Sequence, residues 1–384
     1  MHDISFSDQE LNRYSRHLSL SEFSLEGQRK LKAAKVLVVG AGGLGAPLLL
    51  YLAAAGVGTI GIVDNDSVEE SNLQRQVLYG IDDLGKAKVD AASARLKNLN
   101  PHINIITYKE EITADNALNI IANYDVVADG TDNFPTRYLV NDACVLLDKC
   151  LVFASIHKFQ GQVAVFHYLD KDGNRGPNYR DMYPNPPAPG SVPSCAEGGV
   201  LGVLPGIIGS MQANELIKVI SGIGEPLSGK LFMYDALNSQ SRILRISKDA
   251  ENPLTGANPT QKSLINYQKF CGLADDAQEG VMKEISAEEL RSWQQSSKDF
   301  QIIDVREKHE YELSNINGLL IPLGLIEESV NQIESGKDVV IHCASGMRSA
   351  NAIKVLESKF GFKNLYNLKG GIQAYQNCLN QLVK

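Results

Sequence analysis

The architecture of this 384-residue chain follows from one segment, Val36-Leu37-Val38-Val39-Gly40-Ala41-Gly42-Gly43-Leu44-Gly45. Its apolar, β-branched beginning predicts a buried parallel strand. Gly40, Gly42 and Gly43 then predict a tight turn into a helix, where backbone N–H groups can approach a phosphate. A second predicted strand ends at Asp64, about twenty residues further on, where a carboxylate can accept the hydroxyls of a ribose. The segment therefore predicts a doubly wound, Rossmann-like α/β domain that binds a nucleotide.

A polar cluster beyond the second strand favours ATP over a dinucleotide. It contains Asn72, Arg75 and Gln76, and Lys88 follows on the next predicted helix. Arginine and lysine at this place can hold a triphosphate and stabilise the charge that moves onto pyrophosphate. An NAD-dependent enzyme needs no such cluster. Each of these residues alone reads as a solvated surface group, so the prediction depends on their combination.

Asp132 and Asn133 follow a further predicted strand over residues 125–128. The carboxyl ends of the strands in a doubly wound sheet are where ligands bind. A carboxylate beside a triphosphate is most simply a ligand of Mg²⁺. We therefore predict that Asp132 binds the magnesium ion that accompanies ATP.

The sheet is expected to continue as a mixed sheet, because two predicted strands at residues 151–156 and 162–168 can pair antiparallel. Residues 173–193 are rich in Pro, Gly and Asn and predict a long loop without regular structure. Loops of this length in compact domains are usually functional. The loop leads to Cys195, for which two interpretations stand, a small buried thiol and a reactive cysteine.

The last hundred residues predict a second, small α/β domain. Residues 273–281 are acidic and lack aromatic residues, as expected of a linker, which gives domains over residues 1–272 and 282–384. In the second domain, a predicted strand over 339–342 runs directly into a short loop of small residues, and a helix begins at about residue 350.

This loop, Cys343-Ala344-Ser345-Gly346-Met347-Arg348, predicts a reactive thiol. The helix N-terminus and Arg348 favour a thiolate and are expected to lower the pKa of Cys343. The spacing Cys-x4-Arg is one residue shorter than the Cys-x5-Arg loop with which cysteine-dependent phosphatases surround a phosphate. A tighter ring suits a single sulfur atom on the cysteine, that is, a persulfide.

The composition narrows the function classes. The formal net charge is -8, which gives little electrostatic support for binding nucleic acid. No apolar run is long enough to span a bilayer, and the first residues lack the basic-then-apolar order of a secretion signal. The six cysteines form no Cys-x-x-Cys pair, so a metal knuckle is not expected. We expect a cytoplasmic protein with reduced thiols.

These features together resemble a known family. The chain is similar over almost its whole length to the molybdopterin-synthase and thiamine-biosynthesis adenylyltransferases, relatives of ubiquitin-activating enzymes, and to their subgroup with a C-terminal rhodanese domain. The shared motifs are Arg13-Tyr14-Ser15-Arg16, Gly40-Ala41-Gly42-Gly43-Leu44-Gly45, Asp64-Asn65-Asp66, Ser71 to Gln76, Lys88, Asp129 to Asn133, Cys195-Ala196-Glu197-Gly198-Gly199-Val200-Leu201-Gly202, Phe270-Cys271-Gly272 and the loop from Cys343 to Arg348.

The resemblance implies an ATP-dependent enzyme that acts on a protein partner. ATP and Mg²⁺ would be held by Gly43, Asp64, Asn72, Arg75, Lys88, Asp132 and Asn133. Arg16 would enter the active site of the other subunit of a homodimer as an arginine finger, instead of being the solvated surface group that its helix alone suggests. The partner would be a small ubiquitin-like sulfur carrier that ends in Gly-Gly, with its tail under the loop of residues 173–193.

The implied chemistry has two stages. The C-terminal carboxylate of the carrier would react with ATP to give an acyl-adenylate and pyrophosphate. A persulfide on Cys343 would then supply sulfur and leave a thiocarboxylate on the carrier. In fused relatives, a cysteine matching Cys195 is assigned a covalent link to the carrier. The pathway stays open among molybdenum cofactor, thiamine, cysteine and tRNA thiolation, as does the persulfide-donating source.

One departure from the family concerns zinc. Relatives hold a structural Zn²⁺ with two Cys-x-x-Cys pairs, and the matching positions here are Asn178, Asp181, Asn252 and Thr255. Asparagine and threonine are poor ligands for Zn²⁺. We therefore predict no zinc site, and we expect the long loop to be mobile or held by packing alone.

Two other classes of function are compatible with parts of the sequence. An NAD-dependent oxidoreductase would share the glycine turn, but Arg75 and Lys88 argue against it. A non-catalytic scaffold that binds the carrier would share the fold, but it would not need Asp132 and Cys343.

Overall fold

The computed structural model describes residues 4–188, 198–273 and 282–381. The chain divides into two compact units, residues 1–274 and 275–384. The predicted linker lies outside the described residues except for Leu273, and so does Cys195. Over the part of the chain that is described, no helix is both long and apolar enough to cross a membrane.

An eight-stranded sheet forms the centre of the first unit. Its strands are β1 (Lys35–Val39), β2 (Thr59–Val63), β3 (Asn104–Tyr108), β4 (Val126–Asp129), β5 (Cys150–His157), β6 (Gln160–Phe166), β7 (Lys230–Asp235) and β8 (Gln240–Arg245). They lie in the order β3-β2-β1-β4-β5-β6-β7-β8. The neighbours from β3 to β5 pair parallel, and those from β5 to β8 pair antiparallel. The predicted doubly wound mixed sheet is confirmed.

Helices cover the sheet of the first unit on both faces. Over the described residues they are α1 (Asp8–Arg13), α2 (Ser15–Leu18), α3 (Ser24–Ala33), α4 (Gly45–Ala55), α5 (Lys88–Leu99), α6 (Ala117–Ile121), α7 (Phe134–Leu146), α8 (Tyr179–Met182), α9 (Leu204–Ser221) and α10 (Tyr267–Phe270). The side chains of β1 alternate between two apolar clusters, with Val36 and Val38 in one and Leu37 and Val39 in the other. This burial on both faces explains why β1 is apolar throughout.

The segment 173–193, predicted to be irregular, contains the single helical turn of α8. The Asn178 side chain accepts a hydrogen bond from the backbone N–H of Arg180, and the Asp181 carboxylate accepts one from the backbone N–H of Asn178. This capping box stabilises a helix start despite the surrounding Pro and Gly residues. The prediction was therefore wrong for residues 179–182. The expectation that the segment is mobile or held by packing alone was also wrong for this turn, because hydrogen bonds join it to a second turn, as described below.

The second unit is a small α/β domain, as predicted. Its strands are β9 (Glu284–Ile285), β10 (Phe300–Asp304), β11 (Leu319–Leu320), β12 (Asp338–His342) and β13 (Leu365–Leu368), and its helices are α11 (Ala287–Gln295), α12 (Lys308–Leu313), α13 (Met347–Phe360) and α14 (Gly371–Gln381). The strands pair parallel in the order β11-β10-β12-β13-β9. The central strand β12 ends at His342, so the cysteine loop lies at the carboxyl edge of the sheet. Helix α13 begins at Met347, three residues before the expected start.

Candidate active sites

The glycine turn places the start of α4 beside the carboxyl ends of β1 and β4. Gly40 has a φ of 92°, a left-handed conformation that favours glycine. A Cβ atom on Gly45 would collide with the carbonyl oxygen of Gly40, so the turn can close only with glycine at this position. The backbone therefore presents the N-terminus of α4, with its positive dipole end, to the space above the sheet.

A cavity of about 420 Å³ lies at this edge of the sheet. All ten residues that the sequence assigned to nucleotide binding line it, namely Gly40, Gly42, Gly43, Asp64, Asn72, Arg75, Gln76, Lys88, Asp132 and Asn133. They come from the ends of β1, β2 and β4 and from the segment between β2 and α5. The structure thus brings together residues that are nearly a hundred positions apart in the sequence.

The carboxylate of Asp64 is fixed across the glycine turn. Its Oδ2 accepts a hydrogen bond of 2.8 Å from the backbone N–H of Ala41, and its Oδ1 accepts one of 2.9 Å from the backbone N–H of Asp66. Each carboxylate oxygen can accept a further hydrogen bond. The position and the remaining acceptor capacity suit the hydroxyl groups of a ribose.

The two cations that the sequence assigned to nucleotide binding, Lys88 and Arg75, line the cavity. Lys88 begins α5, is buried, and donates from Nζ to Asp66 Oδ2 at 2.8 Å. Asp66 is exposed and Lys88 is buried. Water therefore screens the negative charge of Asp66 more strongly than the positive charge of Lys88. Arg75 is held by a 3.0 Å hydrogen bond from Nη1 to the carbonyl oxygen of Ser71. This arrangement can attract and orient a polyphosphate.

One of the acidic residues of the cavity, Asp132, lies in the loop after β4. Asp132 is exposed and lines the cavity. Its neighbour Asn133 caps α7, because the Asn133 side-chain oxygen accepts a 3.0 Å hydrogen bond from the backbone N–H of Thr136. A carboxylate that faces a polyphosphate site fits the hard oxygen ligation that Mg²⁺ requires. The amide oxygen of Asn133 is mainly engaged in capping.

The structure adds Arg137 to the cavity, a residue that the sequence motifs did not single out. It is buried, lines the cavity, and donates from Nη2 to the carbonyl oxygen of Thr131 at 3.1 Å. Its guanidinium lies 5.7 Å from the centre of the Phe153 ring. Within the described residues, its Nε has no hydrogen-bond partner. Arg137 follows the capping Asn133 by four residues, and this spacing, which returns a side chain to the capped end of a helix, could have revealed it.

Asp129, at the end of β4, lies fully buried behind this arginine. Its Oδ1 accepts hydrogen bonds from the N–H and the hydroxyl of Thr131, at 2.9 and 2.6 Å. Burial raises the pKa of the Asp129 carboxyl above its ordinary value, against the opposing charge of Arg137. In the part of the chain that is described, Oδ2 has no hydrogen-bond partner.

The thiol of Cys343 lies at the end of β12 and is buried. Its sulfur accepts a hydrogen bond of 3.1 Å from the backbone N–H of Gly346, and the Ser349 hydroxyl lies 3.6 Å away. The carbonyl oxygen of Cys343 accepts a 2.9 Å hydrogen bond from the backbone N–H of Ile372. The loop therefore closes around the cysteine's own sulfur, and the persulfide that the short Cys-x4-Arg spacing suggests stays a prediction.

The sequence suggested that Arg348 acts on the thiol of Cys343, but the structure pairs Arg348 with a carboxylate. Its guanidinium forms two hydrogen bonds of 2.7 Å to the carboxylate of Glu310 on α12. Burial would raise the pKa of Glu310, but the hydrogen bonds from Arg348 and from the backbone N–H of Glu307 outweigh it, so the pKa lies below its ordinary value. The pair remains ionised at neutral pH, and Glu310 offsets the charge that Arg348 brings to the loop.

A buried ion pair lies next to the loop of residues 343–348, which is called the sulfur loop from here on. Arg306 donates to both carboxylate oxygens of Asp304, and His342 Nε2 lies 3.6 Å from the same carboxylate. Burial lowers the pKa of His342, against the attraction of Asp304. His342 is therefore neutral at physiological pH.

Two predicted site residues are not brought together with the others. Arg16 lies on α2, is exposed, and does not line the cavity of its own chain. Cys195 lies outside the described residues. Their roles in the chemistry stay predictions.

Comparison with known proteins bears on both units. The ThiF family matches residues 14–255, and the rhodanese-like domain matches residues 286–378. The chain is 46% identical over 376 residues to the probable adenylyltransferase/sulfurtransferase MoeZ of Mycobacterium tuberculosis, an alignment that covers 97% of this chain and 94% of that protein. It is 53% identical over 270 residues to the sulfur carrier protein adenylyltransferase of Thermus thermophilus, covering 70% of this chain and 100% of that protein. A crystal structure of E. coli MccB with ATP is 25% identical, with a TM-score of 0.53, and covers 64% of this chain and 74% of that one.

Proposed function

The chain belongs to the ThiF family and carries a rhodanese-like domain after it, and on this basis we propose that it adenylates a small sulfur carrier protein and then transfers sulfur to it. One observation carries the proposal. The glycine turn, the cations Arg75 and Lys88 and the exposed carboxylate of Asp132 meet in a single cavity, on the same chain as a loop whose Gly346 N–H donates to the sulfur of Cys343. The name of the mycobacterial relative supports both activities, and that of the Thermus relative supports adenylation of a sulfur carrier.

In the first stage, ATP occupies the cavity with its ribose at Asp64. Lys88 and Arg75 hold the phosphates and stabilise the negative charge that develops on the leaving pyrophosphate. Asp132 would hold Mg²⁺, which polarises the phosphoryl oxygens when it is bound. A carboxylate oxygen of the carrier's C-terminus attacks the α-phosphorus, and the bond to pyrophosphate breaks. Arg137 is placed to hold the attacking carboxylate, because its buried guanidinium is directed into the same cavity.

In the second stage, the terminal sulfur of a persulfide on Cys343 attacks the acyl carbon. A C–S bond forms, the C–O bond to AMP breaks, and AMP leaves with the electron pair. A second thiol then attacks the Cys343 sulfur and cleaves the acyl disulfide, which releases the carrier thiocarboxylate and leaves Cys343 in a disulfide. A further thiol, acting as the reductant, restores Cys343. Cys195 is the chain's own candidate for one of these thiols.

The assembly that we propose is a homodimer in which Arg16 serves the cavity of the second copy. The exposure of Arg16 supports this, since Arg16 is not among the described residues that line the cavity of its own chain. The carrier would end in Gly-Gly, as the resemblance to the family implies. The biosynthetic pathway, of the molybdenum cofactor or thiamine type, follows from which carrier is accepted.

ATP–pyrophosphate exchange tests the first stage. We expect labelled pyrophosphate to enter ATP only when a carrier ending in Gly-Gly is present, because the exchange needs the acyl-adenylate. A carrier that lacks its last glycine is the matched control. If the chain binds ATP and a carrier but no carrier supports exchange, the proposal fails in favour of a scaffold. A carrier-independent absorbance change with a nicotinamide cofactor would support an oxidoreductase instead.

A further inference from the structure

Two turns of the first unit meet at four side chains. Asn178 and Asp181 belong to the turn that forms α8, and Asn252 and Thr255 belong to a turn between β8 and α10. Both turns carry an asparagine followed, three residues later, by a side chain with an acceptor oxygen. These are the four positions at which the family resemblance places the cysteine ligands of a structural zinc ion.

The contacts between the turns are reciprocal. Asn178 Nδ2 donates to Thr255 Oγ1 at 2.9 Å, and Asn252 Nδ2 donates to Asp181 Oδ1 at 2.7 Å. Each asparagine thus donates to the residue that lies three positions after the other asparagine. Asn178 and Asn252 are both buried. Each contact therefore satisfies a buried amide group, which would destabilise the folded state if it had no hydrogen-bond partner.

Each turn is also closed upon itself without a metal. The Asn178 side-chain oxygen accepts from the backbone N–H of Arg180, and the Asn252 side-chain oxygen accepts from those of Leu254 and Thr255. These are Asx-turns, in which a side-chain carbonyl replaces a backbone one. A Cβ atom on Gly256 would collide with backbone atoms of residues 250 and 252, so glycine lets the second turn close tightly.

The four residues do not fit Zn²⁺. Structural zinc sites use thiolates and imidazoles, with carboxylates as the third choice. The only carboxylate here is that of Asp181, and it already accepts hydrogen bonds from Asn252 Nδ2, from the backbone N–H of Asp249 and from the backbone N–H of Asn178. The amide N–H groups of both asparagines point across the gap between the turns. A cation between the turns would therefore face hydrogen-bond donors.

We propose that these four side chains form a hydrogen-bonded clip that replaces the structural zinc of the family, so that this chain folds and keeps α8 in place without zinc. The clip fixes α8 from one side. The buried ion pair between Arg180 and Asp142, with distances of 2.7 and 2.8 Å, fixes α8 from the other side. The inference rests on family membership and on these contacts, and it does not depend on the proposed reaction.

The first test measures zinc and chelation in the full-length protein. The protein is expressed in medium supplemented with zinc, and its metal content is determined by mass spectrometry. We expect far less than one zinc per chain and the same melting temperature with and without a strong zinc chelator. Stoichiometric zinc, together with a chelator-dependent fall in melting temperature, would overturn the proposal. Neither readout requires a carrier or ATP, so the result is distinct from that of the exchange assay.

The second test is a double-mutant cycle across the clip, read by chemical unfolding. Thr255→Val removes the acceptor with little change of shape, and Asn178→Ala removes the donor. We expect the two losses to be non-additive by a factor of roughly 2 to 13 in the unfolding equilibrium constant, the size of one net hydrogen bond. Thr107→Val on the exposed face of β3 is the control and should be additive with Asn178→Ala. Additivity of the clip pair would overturn the proposal.

If Asn178→Ala does not fold, the cycle is run on the other contact with Asn252→Ser, which removes the donor, and Asp181→Ala, which removes the acceptor. The same coupling is expected there, because Asn252 Nδ2 donates to Asp181 Oδ1. Additive losses at this contact would contradict the clip in the same way.

Discussion

The nucleotide cavity and the sulfur loop differ in how open they are to a ligand. The cavity has a volume of about 420 Å³, and two of its lining residues carry a buried atom without a hydrogen-bond partner among the described residues, Gln76 Oε1 and Arg137 Nε. A buried polar atom that stays unpaired costs about 1–3 kcal/mol. A cavity with two of them in its wall suits a polar ligand. Beside the sulfur loop, His342 Nε2 is a comparable atom, but the cysteine itself is fully buried.

The sulfur loop is closed by its own contacts. The sulfur of Cys343 accepts the N–H of Gly346, its carbonyl oxygen accepts the N–H of Ile372, and Arg348 is paired with Glu310. The first unit therefore offers an open cavity to a nucleotide, whereas the second unit encloses the sulfur of Cys343.

The largest expected effect is the complete loss of one activity, that of the sulfur loop, with no change in the activity of the nucleotide cavity. Cys343→Ala removes the only atom that can carry the persulfide in this loop, so sulfur transfer from thiosulfate should be abolished. ATP–pyrophosphate exchange should persist at the wild-type rate, because no part of the cavity changes. Cys378→Ala, at a half-buried cysteine on α14, is the control. Loss of exchange in Cys343→Ala would mean that the roles of the two regions are misassigned.

The converse substitution is Asp132→Ala. Removing the proposed magnesium ligand should lower exchange by about 100- to 1,000-fold, the range for the loss of one electrostatic contact to a transition state. Thiosulfate sulfurtransferase activity should not change. Asp90→Ala, at an exposed position of α5, should leave both activities intact. A parallel loss of both activities in Asp132→Ala would break the separation of the regions.

A substitution of Arg137 tests whether this residue binds the C-terminal carboxylate of the carrier. Arg137→Gln keeps a similar length but removes the charge, and we expect exchange to fall by at least about tenfold, as for a charge-assisted hydrogen bond. The fall should lie mainly in the apparent KM for the carrier, with ATP binding little affected. Arg95→Gln on the exposed face of α5 is the matched control. An unchanged KM for the carrier would remove Arg137 from the proposed mechanism.

A substitution of Glu310 tests whether this carboxylate weakens the binding of an anion such as thiosulfate at the sulfur loop. In Glu310→Gln the charge of Arg348 is no longer offset by a carboxylate, so the KM for thiosulfate should fall by a few fold while exchange stays constant. Glu312→Gln on the same helix, where the side chain is exposed, should have no effect on either. A higher KM for thiosulfate in Glu310→Gln would show that the pair positions the loop and does not screen it.

The smallest effect is on stability against pH. The pKa of Glu310 is lower in the folded state than its ordinary value of 4.5, so its contribution is complete above that pH and is lost as the pH falls through the folded-state pKa. At neutral pH, Glu310→Gln should destabilise the second unit by about 0.5–1 kcal/mol, since solvent partly screens the pair. Below pH 4.5 the difference should shrink. A pH-independent difference would assign the loss to packing.

The nucleotide site could be predicted from the sequence because short sequence patterns are sufficient there. A glycine turn after an apolar strand and an acid at the end of the next strand fix the order of β1 and β2. The carboxyl-end rule then places Asp132 beside them. All ten residues that the sequence assigned to nucleotide binding line one cavity.

The features that the sequence did not reveal depend on contacts between distant elements. Arg137 has only a weak local signal, its position four residues after the cap at Asn133, because that spacing does not show that the side chain contacts Thr131 in the loop after β4. Glu310 and Arg348 lie on different helices, so their pairing has no local signal. The clip is a third example, because the sequence shows that four cysteines are missing but not that Asn178 and Asp181 bond to a turn more than seventy residues away.

One measurement tests the central claim most directly. The protein is incubated with ATP, magnesium, a persulfide source, a thiol reductant and a carrier ending in Gly-Gly, and the carrier is analysed by mass spectrometry. The account predicts replacement of one C-terminal oxygen by sulfur with the wild type, and none with Asp132→Ala or Cys343→Ala. Sulfur incorporation by either variant at the wild-type level would contradict the account, because each region would then be dispensable for the reaction assigned to it.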